Sequence, residues 1–435
     1  MLNPDMGSGN PNRSSAYFSD IVQLFGDDDP AATADISEII QGPCYQSEAA
    51  CGKPWEDDNP SGEKWAVAVT RVIRDVGVYG IEYRFVGEDT TSSHISNVLV
   101  LVDEDDEPIE GDIRLPKVAS CFFNWNETPF VEVTVVFQWR EDEEDPWAIR
   151  VLRMSFDPDE FDVALNNMSP VVLEDHVIDY GFQYGDIMPD VDYDPRGDKG
   201  DLWICYTRWI TMNYSENRIF MIEARRVQDK TQVVWGWALR VSSRNGYQPR
   251  IAIGKCEFNE LPEGWNKAIV YTAQLEVFHP GIIYCCVDWN GWPWNPDELH
   301  EIVWRHWDWP MLPGGCPVID IGPPGTNYAA VVWTQGRGES LNDVTIAVVD
   351  NRFGWATLDE TGGEEEPGSC LGSIAVHNDS SGDIRSSISF FHTDSIESED
   401  WLPYAIYIEA DPNGGEATWA DGANQLSDDI FGEWD

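Results

Sequence analysis

Pro189-Asp190-Val191-Asp192-Tyr193-Asp194-Pro195-Arg196-Gly197-Asp198-Lys199-Gly200-Asp201-Leu202-Trp203-Ile204-Cys205-Tyr206-Thr207-Arg208 reads as strand, polar turn and strand. Val191 and Tyr193 alternate with acids, and a Pro/Gly/Asp cluster turns the chain. Leu202 to Tyr206 then continues as a nearly all-apolar second strand. Pro189 lacks a donor, so it is expected to open the first strand. The pattern recurs. Pro317-Val318-Ile319-Asp320-Ile321 leads into Tyr328-Ala329-Ala330-Val331-Val332-Trp333-Thr334, and Pro249-Arg250-Ile251-Ala252-Ile253 leads into Ala268-Ile269-Val270-Tyr271-Thr272. Weaker copies begin at Leu115-Pro116, at Cys370-Leu371 and at Cys44. These make about six units of roughly 55 to 70 residues, near the upper end of the periods that mark propellers.

Two further strand-like runs follow each hairpin, such as Arg218 to Ala224 and Gln232 to Ala238 after the copy at Pro189. Each unit therefore has four strands, and four-stranded units repeated radially are propeller blades. The expectation is an all-β chain: a six-bladed β-propeller of four-stranded antiparallel blades over residues 33–420. An N-terminal arm (1–32) and an acidic tail (421–435) flank it. A long sandwich or two tandem sandwiches is the rival architecture. A ring must join its first and last blades, and Ala34 to Ile40 is the expected closing strand. Ala417-Thr418-Trp419-Ala420 is the alternative that completes the last blade by itself.

The 435 residues carry a net charge of −51, which repels phosphate and excludes nucleic acid as an expected partner. The acids are spread through the turns, as on a heavily solvated or salt-adapted surface. No run of eighteen apolar residues is present, so no membrane span is expected. Met1-Leu2-Asn3-Pro4-Asp5 lacks the basic and apolar regions of a secretory signal. An extracellular or particle-surface location is nonetheless the expectation.

Three constellations stand out as sites. Asp190, Asp192, Asp194 and Asp201 occupy positions 1, 3, 5 and 12 of a calcium-loop spacing, with the glycine displaced and aspartate where a bidentate glutamate is wanted. They are the candidate Ca2+ ligands, with a solvated hairpin as the plain alternative; no cofactor is required. Cys44, Cys316 and Cys370 each immediately precede an expected innermost strand. Three thiols at one mouth would form a disulfide or a soft-metal site, against a Cys44–Cys51 bridge or simple burial of inert cysteines. Trp292 and Trp294, with Arg305, His306, Trp307 and Trp309, form the densest aromatic stretch, set among Gly, Pro and Asn. Exposed indoles there would stack on sugars or on a protein partner; folded down, they would plug the space between blades.

The Pro-x-(Val/Ile)-x-(Ile/Tyr) start, polar turn and Val-Val-Trp or Ile-Cys-Tyr sequel resemble the sialidase-like and related bacterial propellers over residues 44–410. The Asp-box of true sialidases is not matched; Asp350-Asn351-Arg352-Phe353-Gly354-Trp355 is a loose echo of it. No nucleophile elbow, Walker loop, zinc-binding helix or dinucleotide fingerprint occurs. The expectation is a non-catalytic binding or structural module, a surface, adhesion or particle component with a protein or glycan partner. A glycan-processing enzyme, sialidase-like hydrolase or lyase, with its site at the channel mouth is the alternative.

Overall fold

The computed structural model describes residues 47–51, 66–75, 78–86, 99–105, 107, 109–125, 128–142, 144–156, 171–178, 185–194, 201–210, 216–227, 232–255, 265–276, 279–287, 300–303, 315–321, 328–337, 341–350, 355–358, 369–378, 384–392, 402–409, 418–419 and 424–425. Among these the ordered elements are all strands.

Two compact units divide the chain at Ser242/Ser243. The first holds three sheets. One is β1 (Ser47–Cys51), β2 (Ala66–Asp75), β3 (Val78–Val86) and β4 (Leu99–Val100). The next is β5 (Asp112–Trp125), β6 (Thr128–Arg140), β7 (Ala148–Phe156) and β8 (Val171–Ile178). The third is β9 (Asp186–Asp194), β10 (Asp201–Trp209) and β11 (Asn217–Arg226), with β12 (Val233–Trp235) and β13 (Leu239–Arg240) sharing the fourth position.

The second unit repeats the plan. Its sheets are β14 (Gly246–Lys255), β15 (Trp265–Glu276), β16 (His279–Val287) and β17 (His300–Val303); β18 (Gly315–Ile321), β19 (Tyr328–Arg337), β20 (Leu341–Asp350) and β21 (Trp355–Leu358); and β22 (Ser369–Asn378), β23 (Ile384–His392), β24 (Leu402–Glu409), β25 (Thr418–Trp419) and β26 (Asn424–Gln425). In every sheet strands pair antiparallel in chain order, as short connections dictate. The chain is therefore all-β with repeated four-stranded sheets. The fourth position of the sixth sheet is filled by β25 and β26, both paired with β24. Thr418–Trp419, from the C-terminal candidate, thus pairs with β24, while residues 34–40 lie outside the described residues.

One step relates each sheet to the next inside a unit. The first strand lies across the first three strands of the preceding sheet: β5 on β1, β2 and β3; β9 on β5, β6 and β7; β18 on β14, β15 and β16; β22 on β18, β19 and β20. First strands thus converge. Asp320 Oδ2 accepts the backbone N–H of Val376 at 2.7 Å, tying β18 to β22. A Cβ on Gly254 of β14 would come within 2.8 Å of Ile321 Cβ on β18, so glycine is what allows the approach.

The repeat's proline does not open the first strand, as expected above; it sits inside it, at a β-bulge. Leu115, Met188 and Gln248 have φ of 52°, 54° and 53°, and each precedes the proline of its copy. Two residues there oppose one on the second strand, the geometry of a bulge whose first residue is left-handed. The pairs are Leu115-Pro116 against Phe137, Met188-Pro189 against Tyr206 and Gln248-Pro249 against Tyr271, read from the register shifts. Cys316-Pro317 opposes Trp333 and Leu371-Gly372 opposes Phe390 in the same way. Phe137, Tyr206, Tyr271 and Trp333 are all fully buried. A non-glycine left-handed residue costs about 1–2 kcal/mol, and burying an aromatic against the kink offsets that strain.

Candidate active site

A hydrophobic layer fills the space between the second and third sheets. Ala119, Cys121, Val136, Ile149, Val151 and Ile178 of one meet Val191, Tyr193, Leu202, Ile204, Tyr206, Ile222 and Ala224 of the other. Both ends of this layer are polar.

At the end nearest the β9–β10 turn the polar groups are sealed. Glu132 Oε1 accepts from Arg153 Nε and from Tyr193 Oη, both at 3.0 Å, and its Oε2 accepts from Arg226 Nη1 at 2.7 Å. Tyr193 Oη also lies 2.5 Å from Thr134 Oγ1. Arg153 Nη1 donates to Glu174 at 2.8 Å, and Glu174 accepts from Trp235 Nε1 at 2.7 Å. Burial alone raises the Glu132 pKa, but the Arg226 and Arg153 guanidiniums outweigh it and hold the carboxyl below its usual range. Burial, reinforced by Glu132, pushes the Tyr193 phenol well above its ordinary value. Glu132, Arg153, Tyr193 and Arg226 are all buried, so this network joins two sheets and offers no face to a substrate.

The opposite end is open only at Arg114, while Asp112, Asp186 and Arg208 are buried. Arg140 Nε and Nη2 donate to Asp112 Oδ2 at 3.0 and 2.7 Å across the strand pair. Arg114 approaches the same carboxylate at 3.3–3.4 Å, with its own side chain 46% exposed. The Arg140 and Arg114 guanidiniums lie 4.4 and 4.9 Å from the centre of the Trp147 ring, within cation–π reach. The Trp147 carbonyl accepts the backbone N–H of Asp186 at 2.7 Å. Both carboxylate oxygens of Asp186, at the start of β9, accept from Arg208 at 2.6 Å, and Arg208 also donates to Tyr206 Oη at 2.9 Å. Two acid–arginine pairs thus stand at the same ends of adjacent first strands, with Trp147 linking them through its ring on one side and its carbonyl on the other. Among the described residues Asp112 Oδ1 has only the long Arg114 contact, the least engaged oxygen of the four.

Of the residues picked out in the sequence, the four aspartates lie on the β9–β10 pair. Asp190, Asp192 and Asp194 alternate along β9 in an extended row, and Asp201 stands opposite Asp194. Alternate residues of a strand stand about 6.6 Å apart, so these acids do not wrap around a point as a coiled loop would. Asp192 Oδ1 accepts its neighbour's N–H from Tyr193 at 2.8 Å, and Asp201 Oδ1 accepts from Arg226 N at 2.8 Å. Among the described residues no group of three or more His, Cys, Asp or Glu is placed to hold a metal ion.

Cys316 and Cys370 lie within β18 and β22, not ahead of them, and one register apart: Cys316 is the first residue of its bulge, while Cys370 precedes its own. They are not equivalent positions; Cys44 lies outside the described residues. Trp292, Trp294, Arg305, His306, Trp307 and Trp309 also lie outside them.

Asp112, Arg140, Asp186 and Arg208 were not singled out in the sequence. Counting outward from Trp125 opposite Thr128 in regular register sets Asp112 against Glu141, and the bulge moves Arg140 into that place. In the third sheet the same slip replaces Trp209 by Arg208 opposite Asp186. The signal was the X-Pro step, had it been read as a bulge.

No protein-family model and no curated protein matches the sequence. Among solved structures the chain resembles a Penicillium chrysogenum α-L-arabinanase complexed with arabinobiose, at 9% identity and TM-score 0.43, over 89% of this chain and 95% of that one. An α-L-arabinofuranosidase from Fusarium graminearum gives 9% identity and TM-score 0.44 over 80% and 89%. A variant of the Synechocystis apocarotenoid oxygenase gives 9% and 0.41 over 88% and 72%. Two expectations are corrected here. The expected non-catalytic binding or structural module is not what these neighbours are: they are enzymes, glycoside hydrolases prominent among them. Nor are the likenesses specific to sialidase-like propellers.

Proposed function

We propose that this chain is a glycan-processing enzyme, its six sheets the blades of a β-propeller and its site the Asp112–Arg114–Arg140–Trp147–Asp186–Arg208 end of the second and third sheets. The observation that carries the reading is the pair of acid–arginine couples at matching ends of neighbouring first strands. Cleavage of a glycosidic bond needs carboxyl groups held in fixed geometry near the reacting oxygen. Cross-strand arginines supply that fixity here. Asp112, with one oxygen lightly engaged, is the carboxylate that touches substrate. Arg114, half exposed, is the donor to sugar oxygens, and Asp186 is held by Arg208 as the positioning partner. The tryptophans on either side of β17 are further positions for sugar contact.

The test is a screen of the purified chain for release of reducing ends or of unsaturated products from neutral and acidic polysaccharides. Turnover should appear on at least one of them. Asp112→Asn should lower it at least a hundredfold, the scale on which an acid or base group contributes, and Arg114→Ala should act mainly on KM. No turnover on any substrate, or full activity of a folded Asp112→Asn variant, sinks the reading.

A further inference from the structure

The fourth position of the third sheet is broken in a specific way. Trp235 stands opposite Ala224 and Leu239 opposite Met221, so four residue steps on the outer strand match three on β11. Gly236 keeps its backbone bond, donating to the Glu223 carbonyl at 2.8 Å. The extra residue is thrown out of the ladder around Trp237, whose side chain is 86% exposed. Three other described indoles of this unit are engaged. Trp235 stacks on His176 at 4.2 Å, Trp147 lies under two guanidiniums and Trp139 donates to the Glu110 carbonyl at 2.7 Å. Trp237 makes no hydrogen bond or ring contact among the described residues, so both faces of its ring are open.

An indole in water is costly unless it has a use, and what it can bind is limited by its size. One ring offers on the order of 200 Å², about a quarter of the roughly 800 Å² per partner that a stable protein interface needs. It matches the apolar C–H face of a single sugar ring. Hydrogen-bonding groups stand on the strand beside it: Arg225 Nη2 and Glu223 Oε2 are 2.8 Å apart, with the Arg225 side chain 61% exposed. Val234, opposite Arg225 and 59% exposed, adds one small apolar side chain. The net charge of −51 disfavours a phosphorylated or polyanionic ligand.

We propose that Trp237 is a sugar-stacking platform, a glycan-binding position for uncharged sugar rings separate from the acid–arginine end, with Glu223 and Arg225 meeting the hydroxyls. Native gels containing soluble arabinan, xylan, mixed-linkage β-glucan or polygalacturonate, run with the full chain, test it. At least one neutral polysaccharide should retard the parent, and polygalacturonate should not. Trp237→Ala should bind about tenfold more weakly, a change of about 1.4 kcal/mol, while Trp237→Phe keeps most of the affinity because it keeps a stacking face. No retardation of the parent, or equal retardation of Trp237→Ala, overturns the proposal. So does a concentration-dependent self-association of the parent that Trp237→Ala abolishes, since that gives the ring to a second copy. Retardation needs no turnover, so failure of the catalytic reading leaves this result to be read by itself.

Discussion

Arg226 reaches Glu132 across the boundary between two sheets, Nη1 to Oε2 at 2.7 Å, although the two are 94 residues apart in the chain. Arg153, two strand positions along the same layer, takes the other oxygen at 3.0 Å. Breaking such a buried set from one side leaves charges without partners. Glu132→Gln is expected to cost about 3–5 kcal/mol in chemical denaturation. A triple replacement, Glu132→Leu with Arg153→Met and Arg226→Met, should cost less than the single one, because no buried charge remains. A larger loss in the triple variant would show that the network itself, and not the stranded charge, carries the stability.

The same carboxylate sets an acid limit. The Glu132 pKa is lower in the folded chain than its usual 4.5, so its contribution is complete above that value and is lost as pH falls below it toward the folded pKa. Denaturation midpoints measured from pH 6 downward should therefore drop, and Glu132→Gln should flatten that drop.

His176 behaves in the opposite range. Burial against Trp235 lowers its pKa from 6.5, with Glu174 and Asp175 opposing. A histidine with a depressed folded pKa favours the neutral ring, so its contribution is complete above about 6.5 and declines as pH falls through that value. His176→Phe keeps the stack and removes the titration. Its stability should be flat between pH 7 and 5.5, where the parent declines; a parallel decline in both would assign the effect to other groups.

The bulges make a paired prediction. Phe137→Ala, opposite Leu115-Pro116, should cost about 3–5 kcal/mol, as for other buried aromatics. Leu115→Gly should be mild or stabilising, because glycine adopts the observed φ of 52° without a Cβ penalty. A large loss on Leu115→Gly would mean that the leucine side chain, half buried, matters more than the backbone conformation.

Gly254 tests the convergence of first strands. Gly254→Ala places a methyl within 2.8 Å of Ile321 Cβ, and overpacking of this kind costs about 1–3 kcal/mol. Adding Ile321→Ala should recover part of the loss, a coupling that thermal melts of the two single variants and the double variant would read. Additive losses would show that β14 and β18 do not approach so closely in solution.

Local chemistry alone determined the strands, their grouping in fours and the hairpin turns. Alternating apolar residues, as in Val191 and Tyr193 or Ile319 and Ile321, demand a pleated strand, and Pro/Gly/Asp clusters can only turn it; that the acids alternating with Val191 and Tyr193 are buried as well was settled by packing. The partnership of Asp112 with Arg140 and of Asp186 with Arg208 was not legible. A single extra residue in the bulge slips the register by one, and a one-residue slip changes every facing pair beyond it. The left-handed turn at Leu115 and Met188 that causes this slip depends on burying Phe137 and Tyr206, an event of packing. In the same way, Glu132 and Arg226 carry no signal in sequence of their pairing. Two charges are brought together at that distance only when one sheet closes over another and excludes the water that would otherwise solvate them.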